Sequence, residues 1–457
     1  MPKKDSVLKK NSISKKDSTS NKDSISKKDS MTAFEGYTSL EKEGGIHAYR
    51  LDSNGLEVLL APSGGAPVST FMITYKVGSR DEKLGETGAT HFLEHMMFKG
   101  TAKYSKQSGN TIFNVLQSKG AQVNATTWND RTNYYEMVPS EHLSLAIDIE
   151  ADRMRNLLLA PNEVASEKTV ILNEFDRGEN EPIRKLIHSV WSAAYVAHPY
   201  QHPTIGWRKD IEVVTPEGLR SFYDRYYWPN NATVSVIGGF DSNQVMAEIR
   251  DAFGAIPSQV IPVNDYAGLE PAQQGKKEIE VHMVGGMPTI MMGYKIPDAN
   301  HEDLPALHVL SILLSNGKTS RFARKLIDKG LATHQSAGAS MFRDPGLFTV
   351  LVMSKTAEDL DKARVEVSAA LKQVQEAIVD STELTRVIKK LKAHTLYARD
   401  GSFSLASELN EAIAAGDWKL YTRFIERAEA VTPEKIQEVA VRYFVERNLT
   451  VGRYFPA

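Results

Sequence analysis

The pattern of apolar and polar positions predicts short strands mixed with long amphipathic helices from about residue 45 to the end of the chain. Two apolar runs, Met72–Val77 and Met291–Ile296, have the composition of buried strands and lie 219 residues apart. Two Thr-Pro-Glu segments, at Thr215 and Thr432, lie 217 residues apart. Each predicts the start of a helix, because threonine caps a helix and proline fits its first position. The similar offsets predict an internal duplication.

This duplication predicts an α+β fold with two homologous domains, at residues 45–262 and 278–457. The polar stretch 263–277 contains Gly and Pro, and it is the expected linker. Within the first domain, segments 121–128 and 131–138 alternate in polarity on either side of an Asn-Asp pair, which predicts a β-hairpin.

Residues 1–31 differ from the rest of the chain. A Lys-(Asp/Asn)-Ser hexad occurs five times, with few apolar residues between the copies. Such a segment cannot bury enough apolar surface to offset its ordering entropy, so we predict a disordered tail. The tail is expected to be passive, with a tether to an acidic surface as the alternative. It lacks the apolar region of a secretory signal, and no apolar run approaches the roughly 20 residues of a membrane span. We therefore expect a cytoplasmic protein.

The amino-acid composition excludes several classes of protein and of functional site. The 457 residues include 55 Lys and Arg against 57 Asp and Glu, so the chain lacks the basic surplus typical of nucleic-acid-binding proteins. The chain has no Cys, which rules out disulfides, thiolate metal sites and a thiol nucleophile. Any metal must therefore be bound by His and carboxylates.

His91 and His95 are four residues apart in an apolar stretch that predicts a helix between Gly88 and Gly100. At this spacing both imidazoles lie on one helical face and can bind one zinc ion. Glu94 lies on the same side, where it can reach a water on the metal without being a ligand. A pair of ordinary core histidines is the alternative. Three polar groups on one face of an apolar helix are costly without a function, however.

A catalytic zinc site needs a third protein ligand, here a His or a carboxylate. Glu167 and Glu174 are seven residues apart in a second predicted helix, so they share a face. Glu174 follows the apolar run Val170–Leu172, which favours burial of this helix. Glu174 therefore has the position of a ligand, and Glu167 that of a carboxylate that orients a ligand histidine. Spacing alone leaves Glu163, Glu167 and Asp176 open as alternatives for the ligand.

With these motifs the chain resembles the pitrilysin/insulinase family of zinc metallopeptidases, which includes the mitochondrial processing peptidase subunits. The resemblance extends from about residue 45 to the end of the chain. The matching residues are His91 to Met96, Glu167 and Glu174, Asn124-Ala125 before a strand with Tyr134-Tyr135, and His198-Pro199-Tyr200 with Gly206. The resemblance implies that each domain is a mainly antiparallel sheet packed with helices, and that the two domains enclose a chamber.

The resemblance also implies roles for individual residues. His91, His95 and Glu174 would bind Zn²⁺, and Glu94 would be the general base for a zinc-activated water. Glu167 would orient a ligand histidine without binding the metal itself. Asn124 and Ala125 would lie by an edge strand to which an unfolded peptide substrate adds as an extra β-strand. The implied function is that of a zinc metalloendopeptidase, and the alternative is a non-catalytic assembly or peptide-binding subunit of a family complex.

The second domain departs from the family pattern. The 219-residue offset places Leu310, Leu313 and Leu314 at the positions of the three motif residues. Active relatives carry an Arg and, seven residues later, a Tyr in this domain, and here Leu326 and Thr333 take their places. We therefore expect a heterodimer in which a family subunit supplies the Arg/Tyr pair. A homodimer that works without the pair is the alternative.

Overall fold

The computed structural model describes residues 32–398 and 401–457. The predicted disordered tail, residues 1–31, lies outside the described residues. No helix in the described ranges combines the length and the hydropathy needed to cross a bilayer.

Strands and helices are interspersed along the chain. The strands are β1 (Tyr37–Glu43), β2 (Ile46–Leu51), β3 (Glu57–Pro62), β4 (Val68–Tyr75), β5 (Gln122–Thr127), β6 (Thr132–Pro139), β7 (Ala232–Gly238), β8 (Lys277–Met283), β9 (Thr289–Lys295), β10 (His334–Ala339), β11 (Leu347–Met353) and β12 (Leu449–Pro456). The helices are α1 (Ala89–Met96), α2 (Ile112–Gln117), α3 (Leu143–Arg155), α4 (Pro161–Glu179), α5 (Pro182–Ala194), α6 (Arg208–Val213), α7 (Pro216–Tyr226), α8 (Ser242–Phe253), α9 (Leu304–Ser315), α10 (Ala357–Glu376), α11 (Ser381–Ala398), α12 (Ser402–Ala414), α13 (Lys419–Glu429) and α14 (Pro433–Tyr443).

The strands form two open sheets with the same internal order. The first sheet has the order β1-β2-β3-β7-β4-β6-β5, and the second has the order β10-β11-β9-β12-β8. Read from its parallel pair, each sheet has one connectivity: β3-β7-β4-β6-β5 in the first and β8-β12-β9-β11-β10 in the second. All other neighbouring strands are antiparallel. The predicted α+β fold with mainly antiparallel sheets is therefore confirmed.

The register repeats at the level of single residues. Tyr75 pairs with Ala232 in the first sheet, and Tyr294 pairs with Leu449 in the second. These partners differ by the same 219 and 217 residues that the sequence pattern showed. The threonines that precede α7 and α14 both accept a backbone N–H with their side chains, as the Thr-Pro-Glu segments predict. The duplication is thus present in the structure.

Both sheets extend beyond the ranges expected from the pattern. The first begins with β1, before residue 45, and most side chains of this strand are exposed or half-buried. The second begins at Lys277, inside the stretch 263–277, and β8 alternates between exposed and half-buried side chains. Both are edge strands. β1 has little apolar content, so hydrophobic periodicity could not reveal it, whereas β8 alternates polar residues with Ile279, Val281 and Met283 and could have been found from this pattern.

Each half of the chain supplies a helix to the sheet of the other half. From the first half, α5 packs on β8, β9 and β12, where Leu186 and Val190 are buried with Met291 and Tyr454. From the second half, α12 packs on β4 and β7, and the Asn410 amide oxygen accepts a hydrogen bond from Thr74 at 2.8 Å. The two halves therefore interlock, although α5 lies within the range 45–262 by sequence.

Candidate metal centre

Helix α1 is held in place at its first turn. Gly88, which precedes the helix, has a φ of +86°, a conformation that glycine adopts without strain. A side chain here would also collide with the Ile205 carbonyl, because its Cβ would lie 2.4 Å from that oxygen. The buried carboxylate of Glu82 accepts the N–H groups of Gly88 at 2.7 Å and of Thr90 at 2.8 Å. These contacts fix the direction in which α1 presents its polar face.

The polar face of α1 meets α4 at one point. The Nε2 atoms of His91 and His95 lie 3.8 and 3.7 Å from the same carboxylate oxygen of Glu174. In the described part of the chain these three residues form the one group of histidines and acids with ligand atoms all within 4.8 Å of one another. The structure thus brings together the three residues expected to bind metal. Two histidines and one glutamate are a donor set of catalytic zinc sites.

Glu167 orients one of these histidines. Its Oε1 lies 2.8 Å from Nδ1 of His95, and its other oxygen forms an ion pair with Lys99. These bonds lower the pKa of Glu167 to about 2, with the His95 hydrogen bond as the largest cause. A carboxylate at Nδ1 favours a proton on that nitrogen, which leaves Nε2 of His95 as the ligand atom directed at Glu174. The position expected for Glu167 from its spacing therefore fits the geometry.

His91 has the protonation state that a metal requires. Burial, reinforced by the nearby charges of His95 and Arg184, lowers the pKa of His91 to about 3. Its imidazole is therefore neutral near pH 7, as a ligand must be. Nδ1 of His91 is buried and has no hydrogen-bond partner among the described residues. Nε2, the other ring nitrogen, is the one directed at Glu174, so His91 presents a neutral donor atom to the ligand group.

Glu94 lies beside this group and makes a different contact. Its Oε2 accepts a hydrogen bond from the Thr127 hydroxyl at 2.5 Å, at the end of β5. Burial raises the pKa of Glu94, and the Thr127 hydrogen bond opposes this effect. Sequence reasoning missed Thr127 and Glu82, because only the tertiary fold brings them to α1. The sole sequence signal for Thr127 was its place at the end of the predicted hairpin.

Asn124 and Ala125 lie on β5, at the edge of the first sheet. In the described residues this strand pairs with β6 alone. Asn124 is exposed, and its side-chain oxygen accepts the backbone N–H of Ala125 at 2.9 Å. The same strand ends at Thr127, so the free edge leads directly to Glu94. The structure places both residues on an edge strand beside the site, and it does not bring them into the group of ligands.

The segment from His198 to Gly206 connects the site to the second half of the chain. Nε2 of His198 lies 2.9 Å from Asp344, which also accepts from Arg80 at 2.5 Å. The Tyr200 hydroxyl donates to Asp130 at 2.7 Å. This buried polar cluster joins the turn of the β5–β6 hairpin to the loop between β10 and β11. Burial raises the pKa of Asp130 to about 7, whereas His198 and Arg80 lower the pKa of Asp344 against the effect of its burial.

The second half shows no counterpart of the site in the described residues. Leu310, Leu313 and Leu314 are buried in α9. Leu326 is fully buried, and the Thr333 backbone N–H donates to the Met353 carbonyl at 2.8 Å. Neither position carries the side chain expected of an active relative.

Two family descriptions match successive parts of the chain. Residues 57–207 match the family described as insulinase (peptidase family M16), and residues 214–391 match the peptidase M16 inactive domain. The first range contains the whole candidate site. The second covers β7 of the first sheet and β8 to β11 of the second.

Named relatives and solved structures agree with these matches. The zinc protease PqqE of Helicobacter pylori is 28% identical over 404 residues, which cover 87% of this chain and 90% of the relative. An uncharacterized zinc protease of Streptomyces coelicolor is 27% identical over 419 residues, 88% of this chain and 89% of the relative. The crystal structure of a protease from Helicobacter pylori superposes with a TM-score of 0.83 at 28% identity, covering 92% of this chain and 99% of that one. A putative M16-like peptidase from Alicyclobacillus acidocaldarius shares the fold, with a TM-score of 0.78 at 23% identity, covering 92% of this chain and all of that one.

Proposed function

Because the chain belongs to the pitrilysin/insulinase family, we propose that it is a zinc metalloendopeptidase that cleaves unfolded peptides. The observation that carries this proposal is the convergence of His91, His95 and Glu174, with Glu94 beside them. The names of the relatives support zinc as the metal. The donor set supports it independently, because the two imidazole nitrogens face one carboxylate oxygen.

The roles of the chain's own residues follow from their contacts. When bound to His91, His95 and Glu174, zinc would supply a Lewis acid that polarises water and a peptide carbonyl. Glu94 accepts a proton from the attacking water on Oε1, since Oε2 is taken by the Thr127 hydroxyl. The same carboxyl group then delivers the proton to the leaving amine. Burial raises the pKa of Glu94 and so strengthens it as a base.

The free edge of β5 supports an extended peptide as the substrate. A peptide paired with this edge gains backbone hydrogen bonds that do not depend on its sequence. Asn124 and Ala125 are the residues of the edge that we assign to substrate binding. The Ala125 N–H, which now bonds to the Asn124 side chain, becomes a donor to substrate when Asn124 turns away. The substrate must therefore be unfolded at the cleavage site.

Cleavage of a quenched library of unstructured peptides tests the proposal. Purified wild-type chain and Glu94→Gln are compared with and without a chelator, and bound zinc is measured in both proteins. We expect chelator-sensitive cleavage by the wild type and a loss of about 10²–10⁴-fold in the variant, the usual contribution of a general base. We expect both proteins to bind one zinc ion. A folded wild-type chain that binds no zinc would contradict the proposal. Zinc with peptide binding but no cleavage would favour the non-catalytic subunit.

A partner subunit is the second part of the proposal. We propose a heterodimer whose other subunit supplies the Arg and Tyr that are absent at Leu326 and Thr333, with a homodimer as the alternative. The burial of Leu326 supports an outside source, since this position offers no group to a substrate. Light scattering of the purified chain and capture of partners from its own cells test this part. Cleavage by a homodimer of this chain, at a rate that no other subunit increases, would show that the proposed partner subunit is not needed.

A further inference from the structure

A cavity of about 520 Å³ adjoins the candidate metal centre, and His91 and Glu174 form part of its wall. Much of the remaining wall is apolar. The apolar side chains that line it include Ile183, Ile187 and Trp191 from α5, Ile205 from the following loop, and Phe342 from the second half. Thr127, which contacts Glu94, also lines the cavity. A substrate group in this cavity therefore lies next to the reacting bond of a peptide on β5.

One permanent charge faces this cavity from α5. Among the described residues, Arg184 is the only arginine or lysine that lines it. Its side chain is 43% exposed, and the described residues accept no hydrogen bond from it. Its nearest carboxylate is Glu181, 3.8 Å from Nε and itself 55% exposed. That distance is too long for a hydrogen bond, so the guanidinium keeps its donors free for a ligand.

The end of α4 positions the Arg184 side chain, which comes from the first turn of α5. Its Nη1 lies against Gly178, where an added Cβ would be only 2.7 Å from that nitrogen. Any larger residue at position 178 would push the guanidinium away. Gly178 is buried at the end of α4, one turn after Glu174. The same helix thus positions a metal ligand and makes room for the cation.

The other titratable groups of the cavity include two carboxylates, Glu174 and Glu181, and the histidines of its wall. Burial lowers the pKa of the His188 and His202 rings in its wall, which disfavours further positive charge there. Glu174 belongs to the ligand group. Arg184 is therefore the cation of this wall, with the exposed carboxylate of Glu181 at 3.8 Å as its nearest counter-charge.

We propose that Arg184 binds a carboxylate of the substrate peptide next to the scissile bond. The carboxylate comes either from an acidic side chain or from the C-terminus of a short peptide. Guanidinium groups bind carboxylates through paired charge-assisted hydrogen bonds, and an apolar wall strengthens them. This inference rests on the proposed function, because it gives a specificity to the same site.

Matched peptides and one matched control variant test the inference. A cleaved peptide is remade with Glu or Gln at each of the two positions on either side of the scissile bond. Each version has a free or an amidated C-terminus close to that bond. We expect the wild type to prefer one carboxylate-bearing version by about tenfold in kcat/KM, the effect of one charge-assisted hydrogen bond. Arg184→Gln should lose this preference and keep cleavage of the neutral peptides. Lys185→Gln should keep the preference, because Lys185 pairs with Glu179 and does not line the cavity.

Binding measurements separate this inference from the proposed function. Fluorescence anisotropy of the same labelled peptides is measured with Glu94→Gln protein, with and without Arg184→Gln. A carboxylate preference that disappears with Arg184 supports the inference even where the wild type cleaves nothing. Equal preference with and without Arg184, or no preference for any carboxylate, overturns it. The versions with free and amidated ends identify which carboxylate is bound.

Discussion

The helix pair α1–α4 and its repeat α9–α11 occupy the same place in two similar sheets, yet they differ at every polar position of the site. In α1 and α4 these positions carry the candidate ligands and Glu94. In α9, Leu310, Leu313 and Leu314 take the places of His91, Glu94 and His95. In α11, Leu391 is the residue equivalent to Glu174. The 217-residue offset that gives this equivalence also aligns Val170-Ile171 with Val387-Ile388.

This comparison shows what the fold itself requires. At the positions equivalent to His91, Glu94 and His95 the repeat buries three leucines in α9, so the fold itself does not require polar groups there. The polar groups of α1 are additions that cost desolvation, as the lowered pKa of His91 and the raised pKa of Glu94 show. An arrangement that is unfavourable for stability and absent from the structural repeat is best explained by chemistry.

The largest expected effect comes from exchanging equivalent residues between the two helices. Leu313→Glu should destabilise the protein by about 4 kcal/mol, because it replaces a buried apolar side chain and leaves a carboxylate without partners. Glu94→Leu should change stability by less than about 1 kcal/mol, because burial already disfavours the charged form of Glu94. Chemical denaturation in the presence of chelator measures both. Equal losses in the two variants would contradict the division into a catalytic and a structural helix.

The second half of the chain should support the metal centre structurally, without contributing a ligand. Asp344→Asn removes a carboxylate that is paired with Arg80 and His198, and it should cost about 3 kcal/mol at pH 7. Zinc affinity should not change. The pKa of Asp344 is lowered in the folded protein, so its stabilisation is present above the unfolded pKa near 4 and is lost as the pH falls below it. Denaturation at pH 7 and pH 3 should therefore show a smaller difference between wild type and variant in acid. Weaker zinc binding by the variant would show that the second half also affects the metal centre.

The sequence was most informative where regular helices set the geometry. His91, Glu94 and His95 come together because helical spacing alone places them on one face, and the same holds for Glu167 and Glu174. The repeated strands were visible because both copies keep their apolar runs at nearly constant offsets. Local spacing was therefore sufficient to anticipate the ligands and the duplication.

Residues that depend on tertiary structure were missed. Glu82 precedes α1 in a loop, Thr127 ends a strand, and Arg184 lies on a helix that covers the opposite sheet. No periodicity links these three residues to α1. The exchange of α5 and α12 between the halves was also invisible, because an amphipathic pattern shows that a helix has a buried face and not which sheet covers it.

Loss of the support for His95 should weaken the metal site by a moderate amount. Glu167→Gln removes the charge that holds Nδ1 of His95, and zinc affinity should fall about 10–100-fold. The repeat offers a matched control, because Leu384 lies at the corresponding position of α11. Leu384→Met should leave zinc affinity unchanged. Competition with a chromophoric chelator gives both affinities, and a drop of equal size in the two variants would show that the effect arises from general destabilisation.

The smallest effect should come from Thr127, which positions Glu94 without belonging to α1 or α4. Thr127→Val keeps the shape of the side chain and removes the hydroxyl that donates to Oε2, so the carboxylate loses its fixed direction. We expect kcat/KM to fall about tenfold, as for one hydrogen bond to a charged group, with zinc affinity unchanged. Thr127→Ser retains the donor and should restore most of the activity. The loss should appear mainly in kcat, because Thr127 orients the base and does not bind zinc. An unchanged kcat in Thr127→Val would show that burial alone holds Glu94 in place. In that case β5 would not be needed to orient Glu94. The residues of α1 and α4 alone would then distinguish the site from the corresponding helices of the repeat.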